Sequence, residues 1–261
     1  MKQPPKIVIW LVVVVVIALM RSGCAQDEPT QQAAAPATSP RPAPTLEQPA
    51  NVQRVVIPID DTQPGVKASL QRNFYFIFDG SGSMNDGPTG TCRPDKAFAH
   101  KIDGAKWAVR EFLEIVPPDI SLGLYVFDGG RRNEVVPLGP NNREQFLHAI
   151  DRVRAGGDTP LAEAIRFGTD QLVKQYQQQL GYGEFRLVVV TDGIAEQIPQ
   201  AATYAARYGI PIYAIGLCIG RDHPLRQYAV SYRAADSFQD LAKGLEGTLA
   251  ELPAFDPSAF D

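Results

Sequence analysis

Asn73-Phe-Tyr-Phe-Ile-Phe-Asp79-Gly80-Ser81-Gly82-Ser83-Met84 is the stretch on which the reading of this chain turns. Its first half is a short apolar, aromatic-rich run of the kind that forms a buried strand. The run stops at a carboxylate, and two hydroxyls follow at alternate positions with glycines between them. The glycines let the backbone turn sharply and leave the hydroxyls free to point inward. Hard oxygen donors this close together suit a small hard cation such as Mg²⁺.

The same ending recurs twice. Leu122 to Phe127 is an apolar run closed by Asp128-Gly129-Gly130, and Leu187 to Val190 is closed by Thr191-Asp192-Gly193. Asp-Gly between strands is a hairpin signal. Here a helical pattern follows each time, which predicts parallel strands joined by crossovers. Ligands of such sheets bind beyond the carboxyl ends of the strands, where the strand order reverses. Three carboxylates (Asp79, Asp128 and Asp192) are therefore expected at one edge, where a cation would relieve their repulsion.

A fourth segment, Gly156-Gly157-Asp158-Thr159-Pro160-Leu161, adds a hydroxyl at the mouth of a further helix. With this segment in place the chain resembles a von Willebrand factor A domain over about residues 70 to 252. The metal-ion-dependent adhesion site of that family is D-x-S-x-S, then a threonine in a glycine-rich loop, then an aspartate after a later strand. The resemblance implies Asp79, Ser81, Ser83, Thr159 and Asp192 as ligands of Mg²⁺ or Mn²⁺. It leaves Asp128 and Asp158 as turn, capping or supporting residues. It also implies a protein partner whose acidic side chain completes the coordination of the ion. Taken one at a time, these segments could equally be ordinary turns and helix caps.

The strand and helix patterns predict an α/β fold: a doubly wound, mostly parallel central sheet with helices on both faces. An edge strand is expected within residues 53 to 71, around Val55, Val56, Ile57 and Ile59, with Pro58 excluding a central position. The first helix repeats Phe98, Ile102, Ala105, Val109, Phe112 and Val116 at helical spacing. Glu134 to Leu138 is predicted as an antiparallel edge, Asn142 to Val153 as a helix, and Ser237 to Leu252 as the closing helix.

The 261 residues, 44% of them hydrophobic, suffice for one ordinary core with extensions, and the net charge of −4 argues against a nucleic-acid partner. Residues 1 to 23 read as a signal segment: Lys2 and Lys6 precede an apolar stretch from Ile7 to Met20, shorter than the roughly 20 residues of a membrane span. Ser22, Gly23 and Cys24 resemble a bacterial lipoprotein signal, with Cys24 as the lipidated residue. Arg21 departs from that pattern, so an uncleaved signal anchor stays open beside it. Both readings place the domain in the cell envelope, exported and membrane-anchored. Residues 24 to 53 carry six prolines between Pro29 and Pro49 and read as a linker. Residues 54 to 252 hold the domain, and 253 to 261 a short tail.

No enzyme signature is complete. A dinucleotide fingerprint would need glycine where Asn85 stands, the G-x-S-x-G elbow fails at Ser81 and Ser83, and there is no phosphate-binding P-loop. His100, His148 and His223 lack ligand spacing and read as surface or cap residues. The expectation is a non-enzymatic binding module. Two alternatives remain: an envelope assembly factor with a structural metal loop, and a Mg²⁺-dependent phosphohydrolase with Asp79 as nucleophile. The second lacks the carboxylate that such enzymes place two residues on, where this chain has Ser81. Cys92 and Cys218 both fall at the carboxyl-end rim of the sheet. In an oxidising compartment they are a disulfide candidate, against the alternative of two free thiols.

Overall fold

The computed structural model describes residues 52–89, 92, 93 and 97–250. The signal, Cys24, most of the linker and the tail lie outside the described residues. Six strands and five helices alternate in this region. They are β1 (Arg72–Asp79), α1 (Lys101–Ile115), β2 (Ile120–Phe127), β3 (Arg132–Gly139), α2 (Arg143–Asp151), α3 (Leu161–Gln178), β4 (Glu184–Thr191), α4 (Ile198–Arg207), β5 (Ile212–Leu217), β6 (Ser231–Ala235) and α5 (Phe238–Glu246). The sheet order is β3-β2-β1-β4-β5-β6, parallel throughout except for β3.

β1 is buried along nearly its whole length because its residues feed two cores in alternation. Phe74, Phe76 and Phe78 pack with Phe112 of α1, Phe146 of α2 and Phe238 of α5. Tyr75 and Ile77 face Leu161, Ile165 and Leu172 of α3 and Ala201 and Ala205 of α4. Burial on both faces is what makes the strand a continuous apolar run rather than an alternating one. Two glycines permit close helix packing. A Cβ on Gly104 of α1 would lie 2.1 Å from the Phe238 ring, and one on Gly168 of α3 would lie 2.6 Å from Leu187 Cδ1.

The antiparallel edge is longer than predicted, and Pro137 sits in β3, an edge strand that can spare a donor. The edge strand expected around Val55 does not form among the described residues. Val55 N donates to Arg207 O at 2.8 Å, Gln177 Nε2 donates to Pro58 O at 3.0 Å, and Val56 is 89% exposed. This segment lies along helix ends instead of joining the sheet. The closing helix ends at Glu246, short of the expected Leu252. Beyond it, the carbonyls of Thr248 and Ala250 accept from the buried Arg186 guanidinium, which also stacks over Phe74 and Tyr213. The chain thus leaves the helix to satisfy a buried cation on β4.

Candidate functional site

β1 is followed in sequence by β2 on one side and flanked by β4 on the other, so the strand order reverses between β1 and β4. The crevice at their carboxyl ends is where an open α/β sheet offers a ligand site. Phe78 pairs with Val190, which brings Asp79 beside Thr191 at the two strand ends. Thr191 Oγ1 donates to Asp79 Oδ2 at 2.6 Å. The other oxygen, Asp79 Oδ1, accepts from Ser81 N at 2.8 Å, which bends the chain just past the strand. A 3₁₀ turn then runs over Gly82–Asn85.

Two backbone bonds lace this turn to the glycine-rich segment ahead of α3: Gly82 N to Gly157 O at 3.0 Å and Gly156 N to Gly80 O at 2.9 Å. Gly157 has φ +77°, and a Cβ there would lie 3.2 Å from Asp128 O, so both conformation and space call for glycine. The lacing carries Thr159 to the crevice. A Cβ built on Gly193 would lie 3.5 Å from Thr159 Oγ1 and 3.8 Å from Asp79 Oδ2, so both oxygens border the small space left by that glycine.

The hydroxyls and carboxylates form a chain. Ser81 Oγ and Ser83 Oγ are 3.2 Å apart, and Ser83 Oγ donates to Asp192 Oδ1 at 2.7 Å. Asp79 and Ser81 are buried, Asp192 is 4% exposed, and Ser83 and Thr159 are half-buried. The five residues singled out in the sequence therefore stand around one crevice. Burial pushes the Asp79 carboxyl up to about 6, and the neighbouring Asp192 carboxylate adds to this. The hydrogen bonds from Ser81 and Thr191 oppose the shift.

Two carboxylates gather here, not three. Asp128 is turned away and held by Arg131, with Nη2 to Oδ2 at 2.6 Å, and by the backbone N–H groups of Gly130 and Arg154. Burial pushes its carboxyl up, but these donors outweigh it and hold it below the ordinary range. Asp158 is exposed and pairs with Arg132 at 2.6 Å, so it does not cap α3.

Three residues at the site make contacts that the sequence did not reveal. Thr191 was visible as part of Thr-Asp-Gly, but nothing in the pattern revealed its bond across to β1. Lys101 Nζ donates to Asp192 Oδ2 at 2.8 Å from the first residue of α1, 91 positions away in the chain. His223, read as a cap, does accept from Leu225 N through Nδ1, but it is buried rather than superficial. Its Nε2 lies 3.0 Å from Gly193 O, which buttresses the loop behind Asp192, and its ring stacks on Tyr232. Since Nδ1 accepts, the proton belongs on Nε2 and is donated to Gly193 O. Burial lowers the tendency of this imidazole to take a second proton.

Among the described residues no three His, Cys, Asp or Glu side chains converge as a metal cluster. A cation here would rest on two carboxylates and neutral hydroxyls. That donor set fits Mg²⁺ or Mn²⁺, which accept oxygen ligands and keep waters. It does not fit a soft metal. Cys92 and Cys218 are joined as a disulfide with Cα atoms 4.7 Å apart, which fastens the segment after the 3₁₀ turn to the end of β5.

A doubly wound sheet with a hydroxyl-rich, two-carboxylate crevice at its switch point defines a recognisable class of α/β domain. The chain belongs to the von Willebrand factor type A domain family, whose model matches residues 73–241. It is 28% identical over 134 residues to the uncharacterized protein YwmD of Bacillus subtilis (strain 168), a match covering 46% of this chain and 54% of that one. The chain thus spans about half the length of this relative. Among solved structures it is similar to manganese-loaded TRAP protein of Plasmodium vivax (TM-score 0.51, 15% identity, 70% of this chain and 75% of that one). It is also similar to the pilus adhesin SpaC of Lactobacillus rhamnosus GG (TM-score 0.52, 15% identity, 70% of this chain and 31% of that one). At these identities the likeness is one of fold.

Proposed function

We propose that the chain is an envelope-tethered module that captures a protein partner through a divalent cation held by Asp79, Ser81, Ser83, Thr159 and Asp192. The observation that carries this reading is the buried run of oxygens from Asp79 through Ser81 and Ser83 to Asp192, set at the switch point of the sheet. Buried carboxylates so close together ask for a cation, and hydroxyl ligands leave much of its charge uncompensated. An ion held this way attracts an acidic side chain of a partner. Ile194, two positions after Asp192, is 68% exposed and offers an apolar contact at the rim. The manganese in the TRAP structure makes Mn²⁺ a reasonable probe alongside Mg²⁺.

The tether rests on residues 1 to 53, of which 1 to 51 lie outside the described residues. No described helix is long and apolar enough to cross a membrane. With lipid on Cys24 and an extended Pro-rich linker, the domain would reach on the order of 85 Å from a membrane surface. Mass spectrometry of membrane-extracted protein tests the anchor. A mature N-terminus at acylated Cys24 is expected, and an intact Met1 without acyl mass would point to the signal anchor.

Capture from native envelope, with and without a chelator, tests the function. Partners retained in Mg²⁺ and lost with chelator or in Asp79→Ala are expected. Retention that ignores both would favour the assembly factor with a structural loop. Phosphatase turnover that needs Mg²⁺ and vanishes in Asp79→Asn would favour the phosphohydrolase.

A further inference from the structure

Among the described residues Lys101 makes a contact in the crevice that opposes a metal ion. Its ammonium reaches Asp192 from α1, and the ion pair is enclosed on both sides, with the lysine side chain 13% exposed and the aspartate side chain 0%. Each oxygen of Asp192 already has a protein donor, Ser83 on Oδ1 and Lys101 on Oδ2. The two donors differ in kind. A serine hydroxyl can give its proton to Asp192 and still turn lone pairs towards a cation. An ammonium has no lone pair to offer and repels one. Among the described residues the donors to Asp79 are all neutral: the Ser81 backbone N–H and side chain and the Thr191 hydroxyl.

We infer that Lys101 is a built-in cation that competes with the divalent ion for Asp192 and so sets the metal concentration at which the site loads. This rests on the metal reading above. Two carboxylates and one ammonium leave a single net negative charge in the crevice, where two would otherwise draw the ion in. Loading must then push the ammonium off Asp192. The adjustment is local, because the Lys101 backbone N–H is bonded to Asp86 O at 3.0 Å and holds the start of α1 whatever the side chain does. For scale, coupling between two binding sites of a protein typically changes affinity about 5- to 150-fold. The opposite role is also physically defined: a partner that only orients a ligand carboxylate strengthens metal binding, and its loss weakens binding about 10- to 100-fold.

The test is Mn²⁺ alone titrated into the full chain, with free Mn²⁺ read by electron paramagnetic resonance. Wild type is compared with Lys101→Met, Lys101→Arg and Asp79→Asn. Lys101→Met is expected to bind about tenfold tighter or more, and Lys101→Arg, which keeps the charge, close to wild type. Unchanged or weaker binding in Lys101→Met overturns the inference while leaving the metal site standing. An equal gain in Lys101→Arg overturns it too, since charge would not be the cause. If no protein, Lys101→Met included, binds above the Asp79→Asn background, the inference falls together with the metal reading. A second readout needs no variant: acylation of the Lys101 amine, followed by mass spectrometry, should rise when Mn²⁺ is added to wild type. Unchanged acylation while Mn²⁺ is bound would also overturn the inference.

Discussion

Asp79 carries the largest electrostatic consequence of any single residue in the crevice. With its carboxyl pushed up to about 6, the metal-free protein favours the protonated form more than the unfolded chain does. The contribution of this group to stability is therefore full below the ordinary carboxylate range and is lost as pH rises through about 6. A cation reverses the preference, since it binds the ionised form. In chelator, thermal unfolding of the full chain is expected at a lower temperature at about pH 7.5 than at about pH 5, and Asp79→Asn should remove that share of the difference. Stabilisation by Mg²⁺ should grow over the same interval. At a hundredfold excess over its dissociation constant the ion should stabilise wild type by about 2.7 kcal/mol and Asp79→Ala not at all. Equal melting of both proteins with and without Mg²⁺ would remove the metal from the account. Ile194 acts at this scale too: Ile194→Lys should weaken partner capture while leaving Mn²⁺ affinity unchanged.

Helix α1 decides how the site is walled. It lies against α5, with Gly104 under the Phe238 ring, and Phe98 just ahead of it packs edge-on to the same ring at 5.2 Å. Phe238 is fully buried, so its ring has little room to give. Gly104→Ala should cost about 1–3 kcal/mol by overpacking, even though alanine is the better helix former, as read by urea denaturation. A gain in stability would show that the two helices can move apart. That outcome bears on function, because Lys101 opens α1 and a shift of this helix would carry the ammonium away from Asp192. Arg186 pins the other end of the same layer through the carbonyls of Thr248 and Ala250.

At the level of the whole molecule the disulfide ties together regions 126 residues apart in the chain. Closing so long a loop stabilises the fold by about 4 to 5 kcal/mol on the chain-entropy account, with engineered bridges usually giving less. Fewer than two reactive thiols from Cys92 and Cys218 are expected in the unfolded, unreduced protein as isolated from its native source. Two would show that the bridge does not form in its own compartment. Reduction should lower the unfolding midpoint, as read by thermal denaturation with and without a reductant.

The doubly wound architecture was legible because the central parallel strands β1, β2 and β4 are buried on both faces and so write themselves as apolar runs ending in Asp-Gly. Asp79, Ser81 and Ser83 could be read together because the turn that gathers them is local. Asp192 was placed at the sheet edge by its strand ending, but its role as a ligand, like that of Thr159, came from resemblance to a family pattern, since no local rule links positions so far apart. What the chain order left open was settled by distance in space. Asp128 and Asp192 follow strands that end alike, yet Arg131 claims the first and Lys101 and Ser83 hold the second. The apolar run around Val55, broken by Pro58, reads as an edge strand, but its backbone bonds to the end of α4 and not to a strand. Periodicity and turn chemistry are properties of neighbouring residues and survive in the sequence. The pairing of a buried charge depends on which side chain the fold brings within reach, and only the tertiary structure decides that.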